Sequence, residues 1–227
     1  MAEPFIAVVD YCKGNLMSVE RGLQAAGGNA RIVDDPSDIL SAQAIVLPGV
    51  GAFSDAVQSM VSSGQMAALR EALAHGVPFL GICLGLHLLF EEGTEGSGCA
   101  DEAGRQGNAR GLGILPGVVD IMPGVDEAGI AFKVPHVGWN TVEPVDGCDS
   151  PLLAGVDSGE YFYFTHSYIV PDGPWTRATT VHSRRFPCLV EWGNAAFGVQ
   201  FHPEKSSDAG LRVLRNFIGL ARKAQNV

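Results

Sequence analysis

The sequence Gly81-Ile82-Cys83-Leu84-Gly85 restricts the possible folds more than any other part of this 227-residue chain. An apolar run precedes it and apolar residues with helical spacing follow it, which predicts a strand, a sharp turn and a helix with Cys83 at the turn. The flanking glycines let the backbone reverse without a clash, as in turns that present a nucleophile. The helix N-terminus would favour the thiolate. The alternative is a buried structural cysteine between packing glycines.

Short apolar runs and amphipathic stretches alternate through the first half of the chain, which predicts an α/β fold with a mostly parallel central sheet flanked by helices. The predicted strands before the turn are Phe5–Val9, Ala30–Val33 and Ala44–Leu47, and the main helices start near Asn15, Phe53 and Met66.

The second half of the chain has a β-rich texture. Short strands with turn signals between them are predicted from Gly117 onward, including one at Phe132–Val134, and a closing helix is predicted from Ser206. The segment 93–111 is rich in Gly, Glu, Ser and Asn and is predicted to be a flexible surface loop. We expect residues 1–227 to form a single α/β domain rather than two small ones.

Composition excludes several classes of function. Hydrophobic residues make up 46% and charged residues 18%, which suffices for a packed core, and the net charge of −10 argues against a nucleic-acid surface. Five cysteines without zinc-type spacing indicate free thiols in a reducing compartment. No secretory leader and no apolar stretch of about 18 residues is recognisable. We therefore expect a cytoplasmic protein without membrane contact.

A cysteine nucleophile requires a base and a group that orients the base. His202 ends a predicted strand and is followed by Pro203 and Glu204, whose carboxylate can reach the imidazole. We therefore predict a triad of Cys83, His202 and Glu204.

The other histidines are weaker candidates. His87, one helical turn after Cys83, is a rival base, but no third Cys or His completes a zinc site with this pair, so no metal is predicted. His75 is expected to face solvent, and hydrogen-bonded structural roles are expected for His136, His166 and His182.

The sequence Pro48-Gly49-Val50-Gly51 directly follows the third predicted strand. It lacks the lysine and the Ser/Thr of a phosphate-binding P-loop. Its glycines leave backbone N–H groups free to point into a site. We therefore predict an oxyanion hole formed by this loop and by the N–H of Leu84, the residue after the nucleophile.

With the Cys83 turn and His202-Pro203-Glu204, the chain resembles the class I (triad) glutamine amidotransferases. Within that family it is similar to the glutaminase subunits of imidazole glycerol phosphate synthase, over about residues 5–218. The similar motifs are Asp10-Tyr11 with Gly14-Asn15-Leu16, Leu47–Gly51, Pro135–Asn140, Phe164–Tyr168 and Gln200–Ser206.

This resemblance implies hydrolysis of L-glutamine to glutamate and ammonia without a cofactor. Cys83 would attack the amide, His202 would transfer the proton and Glu204 would orient His202. The resemblance also implies a heterodimer with a (β/α)8-barrel cyclase subunit. Ammonia would pass to that partner through a channel, giving imidazole glycerol phosphate and aminoimidazole carboxamide ribotide in histidine biosynthesis. Two alternatives are a paralogous glutaminase that feeds another synthase and a decayed, non-catalytic partner subunit.

The resemblance also implies roles for residues around the triad. The residues that would bind the oxyanion or the substrate are Gly49, Val50, Gly51, Leu84 and His87. Those that would lie at the partner interface or the channel are Asn15, Trp139, Tyr163 and Lys205. The chain departs from the family pattern at His87, where the family usually has a substrate-binding glutamine, and at Cys12, where it usually has glycine.

Overall fold

The structure is a computed structural model that describes residues 3–12, 15–96, 107–147 and 149–225. Its helices are α1 (Leu16–Ala25), α2 (Pro36–Ser41), α3 (Phe53–Ser63), α4 (Gln65–Ala74), α5 (Leu84–His87) and α6 (Ser207–Ala224). Its strands are β1 (Phe5–Val9), β2 (Asn29–Val33), β3 (Ala44–Gly49), β4 (Phe79–Cys83), β5 (Phe90–Gly93), β6 (Ala109–Arg110), β7 (Leu115–Ile121), β8 (His136–Pro144), β9 (Glu160–His166), β10 (Tyr168–Ile169), β11 (Thr176–Val181), β12 (Arg185–Trp192) and β13 (Ala196–Val199). Short 3₁₀ turns cover Pro151–Leu153 and Pro203–Lys205.

A nine-stranded sheet with the order β2-β1-β3-β4-β13-β12-β11-β8-β9 forms the centre of the described structure. The strands from β2 to β13 pair in parallel, and those from β13 to β9 pair antiparallel. The order 2-1-3-4 is that of flavodoxin-like folds. The predicted α/β class, with its parallel sheet and added C-terminal strands, is confirmed.

Two apolar layers cover the sheet, and its central strands are therefore buried on both faces. One face packs against α1 and α6, which contribute Val19, Leu23 and Phe217. The opposite face packs against α3 and α4, which contribute Met60 and Leu69. The helices therefore hold the strand ends in fixed positions.

The register of the parallel strands brings distant residues to one edge of the sheet. Gly49 at the end of β3 pairs with Cys83 at the end of β4. On the other side of β4, Val199 of β13 pairs with Ile82, so the chain that leaves β13 emerges beside Cys83. Ligands of such sheets bind outside the carboxyl ends of the strands.

The helix after Cys83 is shorter than the apolar spacing predicts. It ends at His87, and Phe90–Gly93 is a strand in a small sheet of order β10-β7-β5-β6. The carbonyl of Leu88 accepts a hydrogen bond from the N–H of Leu112, and β5 pairs with β7. Tertiary pairing of the backbone therefore overrides the local helical pattern.

Two further predictions concern loops. Within the predicted loop 93–111, Ala109–Arg110 form β6 and pair with β5, while residues 97–106 lie outside the described part. The predicted strand at Phe132–Val134 is wrong: the N–H of Phe132 donates to the Gly124 carbonyl across a turn, and the strand begins only at His136. Among the described residues, no helix is both long and apolar enough to cross a membrane.

Candidate active site

Cys83 occupies a strained turn between β4 and α5. Its backbone has φ 54° and ψ −107°, a region that residues with a Cβ rarely adopt. A Cβ on Gly81 would overlap the Gly85 carbonyl, and a Cβ on Gly85 would overlap the Leu47 carbonyl. The prediction that this turn needs residues without a Cβ is therefore confirmed by the close approach of the backbone.

The Cys83 sulfur lies in a buried, polar environment. It is 3.7 Å from Nε2 of Gln200 and 3.8 Å from the carbonyl oxygen of Thr165 on β9. The helix that follows has only four residues, so its dipole is smaller than the sequence suggests. The polar groups nearest the sulfur are therefore the Gln200 amide and the Thr165 carbonyl.

His202 and Glu204 form a hydrogen-bonded pair beside this turn. Nδ1 of His202 donates to Oε1 of Glu204 at 2.9 Å, and the two side chains are 4% and 1% exposed. The N–H of His202 donates to the Tyr163 carbonyl at 2.9 Å, and the Ser206 hydroxyl donates to the His202 carbonyl. The backbone on both sides of the imidazole is thus fixed by β9 and by the start of α6.

The environment favours a protonated His202. Burial alone would lower the pKa of its imidazole, but interactions with Cys83 and Glu204 outweigh burial and raise the pKa to about 9. Within the described residues, the buried Nε2 atom of His202 has no regular hydrogen bond, although the Cys83 thiol is close enough to contribute to this shift. A protonated ring in this position can give a proton to a leaving group.

A cavity of about 380 Å³ opens in front of Cys83. The loop after β3 contributes Val50 and Gly51, α5 contributes Leu84 and His87, and β9 with the residues after it forms the opposite wall. Every residue predicted to bind the oxyanion or substrate lines this cavity except Gly49, which lies beside Cys83 in the sheet.

His87, the rival base in the sequence, is hydrogen-bonded to Gln200. It is 4% exposed, and its Nε2 lies 2.8 Å from Oε1 of Gln200. Burial lowers the pKa of His87 to about 4, despite a hydrogen bond to Gln200 that opposes this shift. The imidazole is therefore neutral near pH 7.

Residues 7–220 match the family model described as glutamine amidotransferase class-I. The chain belongs to this family. Two similar relatives are each described as "Imidazole glycerol phosphate synthase subunit HisH". The protein from Moorella thermoacetica is 46% identical, with 97% of both chains covered. The protein from Halobacterium salinarum is 47% identical, with 94% of this chain and 92% of the relative covered.

Solved structures agree with this fold. A "Crystal structure of glutamine amidotransferase" has a TM-score of 0.68 at 20% identity and covers 95% of this chain and 98% of its own. The "Structure of PurLQS from Thermotoga maritima" has a TM-score of 0.66 at 20% identity and covers 96% and 99%. At this identity the likeness supports the class I amidotransferase fold alone.

Three of the residues that the amidotransferase resemblance assigns to a partner interface lie together. The rings of Trp139 and Tyr163 meet edge to face, with centroids 6.1 Å apart, and Nζ of Lys205 lies 5.7 Å from the Tyr163 ring. Trp139 is 51% exposed. Asn15 is also exposed, at the start of α1, and its side chain accepts a hydrogen bond from Ser18.

The histidines outside the triad have the structural contacts that were predicted. Nδ1 of His166 donates to the Tyr168 carbonyl, and His136 and His166 are hydrogen-bonded at 3.1 Å. His182 donates to a backbone carbonyl, and His75 is exposed. No group of metal-binding side chains occurs in the part of the amidotransferase domain that the structure describes.

Sequence reasoning missed two residues of this amidotransferase site. Gln200 is fully buried beside Cys83, and its place two residues before His202, just after a predicted strand, was the available signal that it lies near the triad. Tyr11 follows β1, and its buried hydroxyl has no hydrogen-bond partner among the described residues. Burial and the nearby Cys83 raise the pKa of Tyr11, and a Cβ on Gly49 would overlap its hydroxyl.

Proposed function

We propose that this chain is the glutaminase subunit of an imidazole glycerol phosphate synthase, with Cys83, His202 and Glu204 as its catalytic triad. The observation that carries this proposal is the buried His202, which is bonded to Glu204 and interacts electrostatically with Cys83 at the end of a strained turn. Names of relatives that match along nearly their full length support the assignment to histidine biosynthesis.

The reaction begins when the Cys83 thiolate attacks the side-chain amide carbon of glutamine. A C–S bond forms, and an electron pair moves to the carbonyl oxygen. Protonated His202 then gives its proton to the amide nitrogen, the C–N bond breaks and ammonia leaves. Water, deprotonated by His202, attacks the resulting thioester. Glutamate leaves, and the thiolate and the imidazolium are restored.

The residues at the end of β3 and in the loop after it, together with the start of α5, stabilise the oxyanion. Gly49, Val50 and Gly51 contribute backbone donors from one side, and the N–H of Leu84 contributes from the other. Loss of one preorganised donor of this kind reduces the rate by about 10²-fold or more. Support for this assignment comes from the pairing of Gly49 with Cys83 and from the cavity between the two elements.

The proposed partner is a (β/α)8-barrel cyclase that receives the ammonia through a channel. Trp139, Tyr163 and Lys205 contact this partner, and Asn15 lies toward the channel mouth. An exposed tryptophan packed against a tyrosine is typical of the anchors found at protein interfaces. We also propose that the chain folds as one domain and acts in the cytoplasm.

The Cys83→Ala variant tests the proposed function. In complex with the cyclase, this variant should lose synthesis from glutamine and retain synthesis from ammonium salts, because the thiol acts only on the amide. Both rates are measured as formation of imidazole glycerol phosphate, with the wild-type complex as control. Loss of both activities in a folded complex would mean that Cys83 is structural.

A further inference from the structure

Three polar side chains from separate elements form a connected series beside the proposed nucleophile. Nε2 of His87 on α5 lies 2.8 Å from Oε1 of Gln200, which follows β13. Nε2 of the same glutamine lies 3.7 Å from the Cys83 sulfur. Both His87 and Gln200 are buried, at 4% and 0% exposure.

The donors of the hydrogen bonds in this series follow from the protonation state of His87. A neutral imidazole carries one N–H, and the carbonyl oxygen of an amide can only accept. With Gln200 in the orientation of the structure, the 2.8 Å contact places the His87 proton on Nε2. The Tyr168 backbone also hydrogen-bonds the His87 ring and competes for this proton, which corresponds to the opposite amide orientation considered below. With its carbonyl oxygen held by His87, the Gln200 amide directs its N–H₂ group toward the sulfur.

We propose that His87 is a positioning residue that acts on Cys83 through Gln200. It fixes the amide in the orientation that donates a hydrogen bond to the sulfur and so stabilises the thiolate. This inference deepens the proposed glutaminase function and rests on it for its catalytic consequence. It also gives His87 a role that differs from direct contact with the substrate.

The opposite orientation of the amide would have the opposite effect. Gln200 would then donate to His87 and direct its carbonyl oxygen at the sulfur, which favours the protonated thiol. Whether a His87 substitution slows or accelerates alkylation of Cys83 therefore distinguishes the two orientations. The other titratable groups that influence Cys83 or its partners are Tyr11, Asp10, His202, Glu204 and His166. All of them remain in place in the variants below.

The test is the pH dependence of alkylation of Cys83 by iodoacetamide, followed by mass spectrometry of the Cys83 peptide. The His87→Leu variant should move the alkylation profile to higher pH and slow alkylation at pH 7 on the order of tenfold, because the Gln200 amide is no longer held in the orientation that donates to the sulfur. The His87→Gln variant should restore the wild-type profile, since its amide can donate to Gln200. The exposed Cys12 in the same sample is an internal control whose rate should not change.

A double-mutant cycle shows whether His87 acts through Gln200. The Gln200→Leu variant should slow alkylation as well, and adding His87→Leu to it should produce no further change. If the His87→Leu variant does not fold, His87→Ala replaces it in the cycle, and again no further change is expected in the Gln200→Leu background. Independent, additive effects, or an unchanged or accelerated rate in His87→Leu, would overturn the proposal.

Alkylation requires neither glutamine nor the cyclase, so it is separate from the test of the proposed function. A shifted alkylation profile in a protein that hydrolyses no glutamine would refute the glutaminase assignment and leave the hydrogen-bond series intact. Normal glutamine hydrolysis with an unshifted profile would refute only the role of His87. In addition, a role in substrate binding alone would change KM for glutamine without changing alkylation.

Discussion

The contact between Gly49 and Tyr11 allows a quantitative test of how the site is packed. A Cβ on Gly49 would overlap the Tyr11 hydroxyl and would lie 3.0 Å from Cβ of Leu84 and 3.2 Å from Cζ of Tyr11. Because one of these contacts is impossible and two are tight, Gly49→Ala should lower the free energy of unfolding by ~1–3 kcal/mol. It should also slow glutamine hydrolysis, since the displaced loop contains the proposed oxyanion donors.

Tyr11→Phe should partly rescue this variant. It removes the overlapping oxygen, which is also a buried hydroxyl without a partner among the described residues. Since an unsatisfied buried group is unfavourable by ~1–3 kcal/mol, Tyr11→Phe alone should be neutral or stabilising. In the double variant, the loss caused by Gly49→Ala should shrink by ~1 kcal/mol or more. The tight contact with Leu84 remains, so the rescue is incomplete.

Urea unfolding of the four proteins measures these effects, provided that the slope m is unchanged. Gly85→Ala is the matched control, because its Cβ would overlap the Leu47 carbonyl, which Tyr11→Phe cannot relieve. When Gly85→Ala and Tyr11→Phe are combined, their changes in the free energy of unfolding should add. An equal loss from Gly49→Ala in the Tyr11 and Phe backgrounds would show that the hydroxyl is not the obstacle and would refute the packing argument.

Three further predictions concern pH and the partner surface. Burial lowers the pKa of His87 to about 4 and of His166 to about 3. The free energy of unfolding should therefore fall as pH decreases from 6.5 toward 4, by ~1.4 kcal/mol per pH unit for each histidine, and urea unfolding at a series of acid pH values measures this loss. The contribution of His202 depends on pH in the opposite direction, because its pKa is raised. Its stabilisation of the fold is fully present below pH 6.5 and is lost as pH rises toward 9, and Glu204→Gln should reduce this alkaline loss in the same assay. Trp139→Ala should weaken binding of the cyclase by at least tenfold in titration calorimetry while leaving the melting temperature of the free chain nearly unchanged, because the ring is half exposed.

The sequence was sufficient for the parallel part of the fold, because short continuous apolar runs alternate there with longer segments of helical apolar spacing. It also identified the Cys83 turn, since few residues other than glycine fit where two backbone segments meet. It failed for the segment after His87, where Leu88 and Leu89 continue a helical pattern that the pairing of β5 with β7 overrides. Long-range pairing of this kind has no local signal.

The side-chain partners of the site were harder to predict than its strands. His202 was recognisable because Glu204 follows it closely, but Gln200 becomes a neighbour of Cys83 only when β13 is placed beside β4. Tyr11 was recognised only as part of a motif, since its contact with Gly49 depends on the pairing of β1 with β3. Residues that meet across strands in this way require the register, which a single sequence does not specify.

Tyr163 contacts both the exposed Trp139 ring and the backbone of the proposed catalytic His202. Its ring contacts Trp139 and Lys205, while its carbonyl accepts a hydrogen bond from the N–H of His202 and its own N–H donates to the hydroxyl of Ser206. Because these backbone hydrogen bonds join β9 to His202 and Ser206, a shift of β9 at the surface would strain the backbone of His202. The position of the proposed general base is therefore set by the same strand that presents the proposed partner surface.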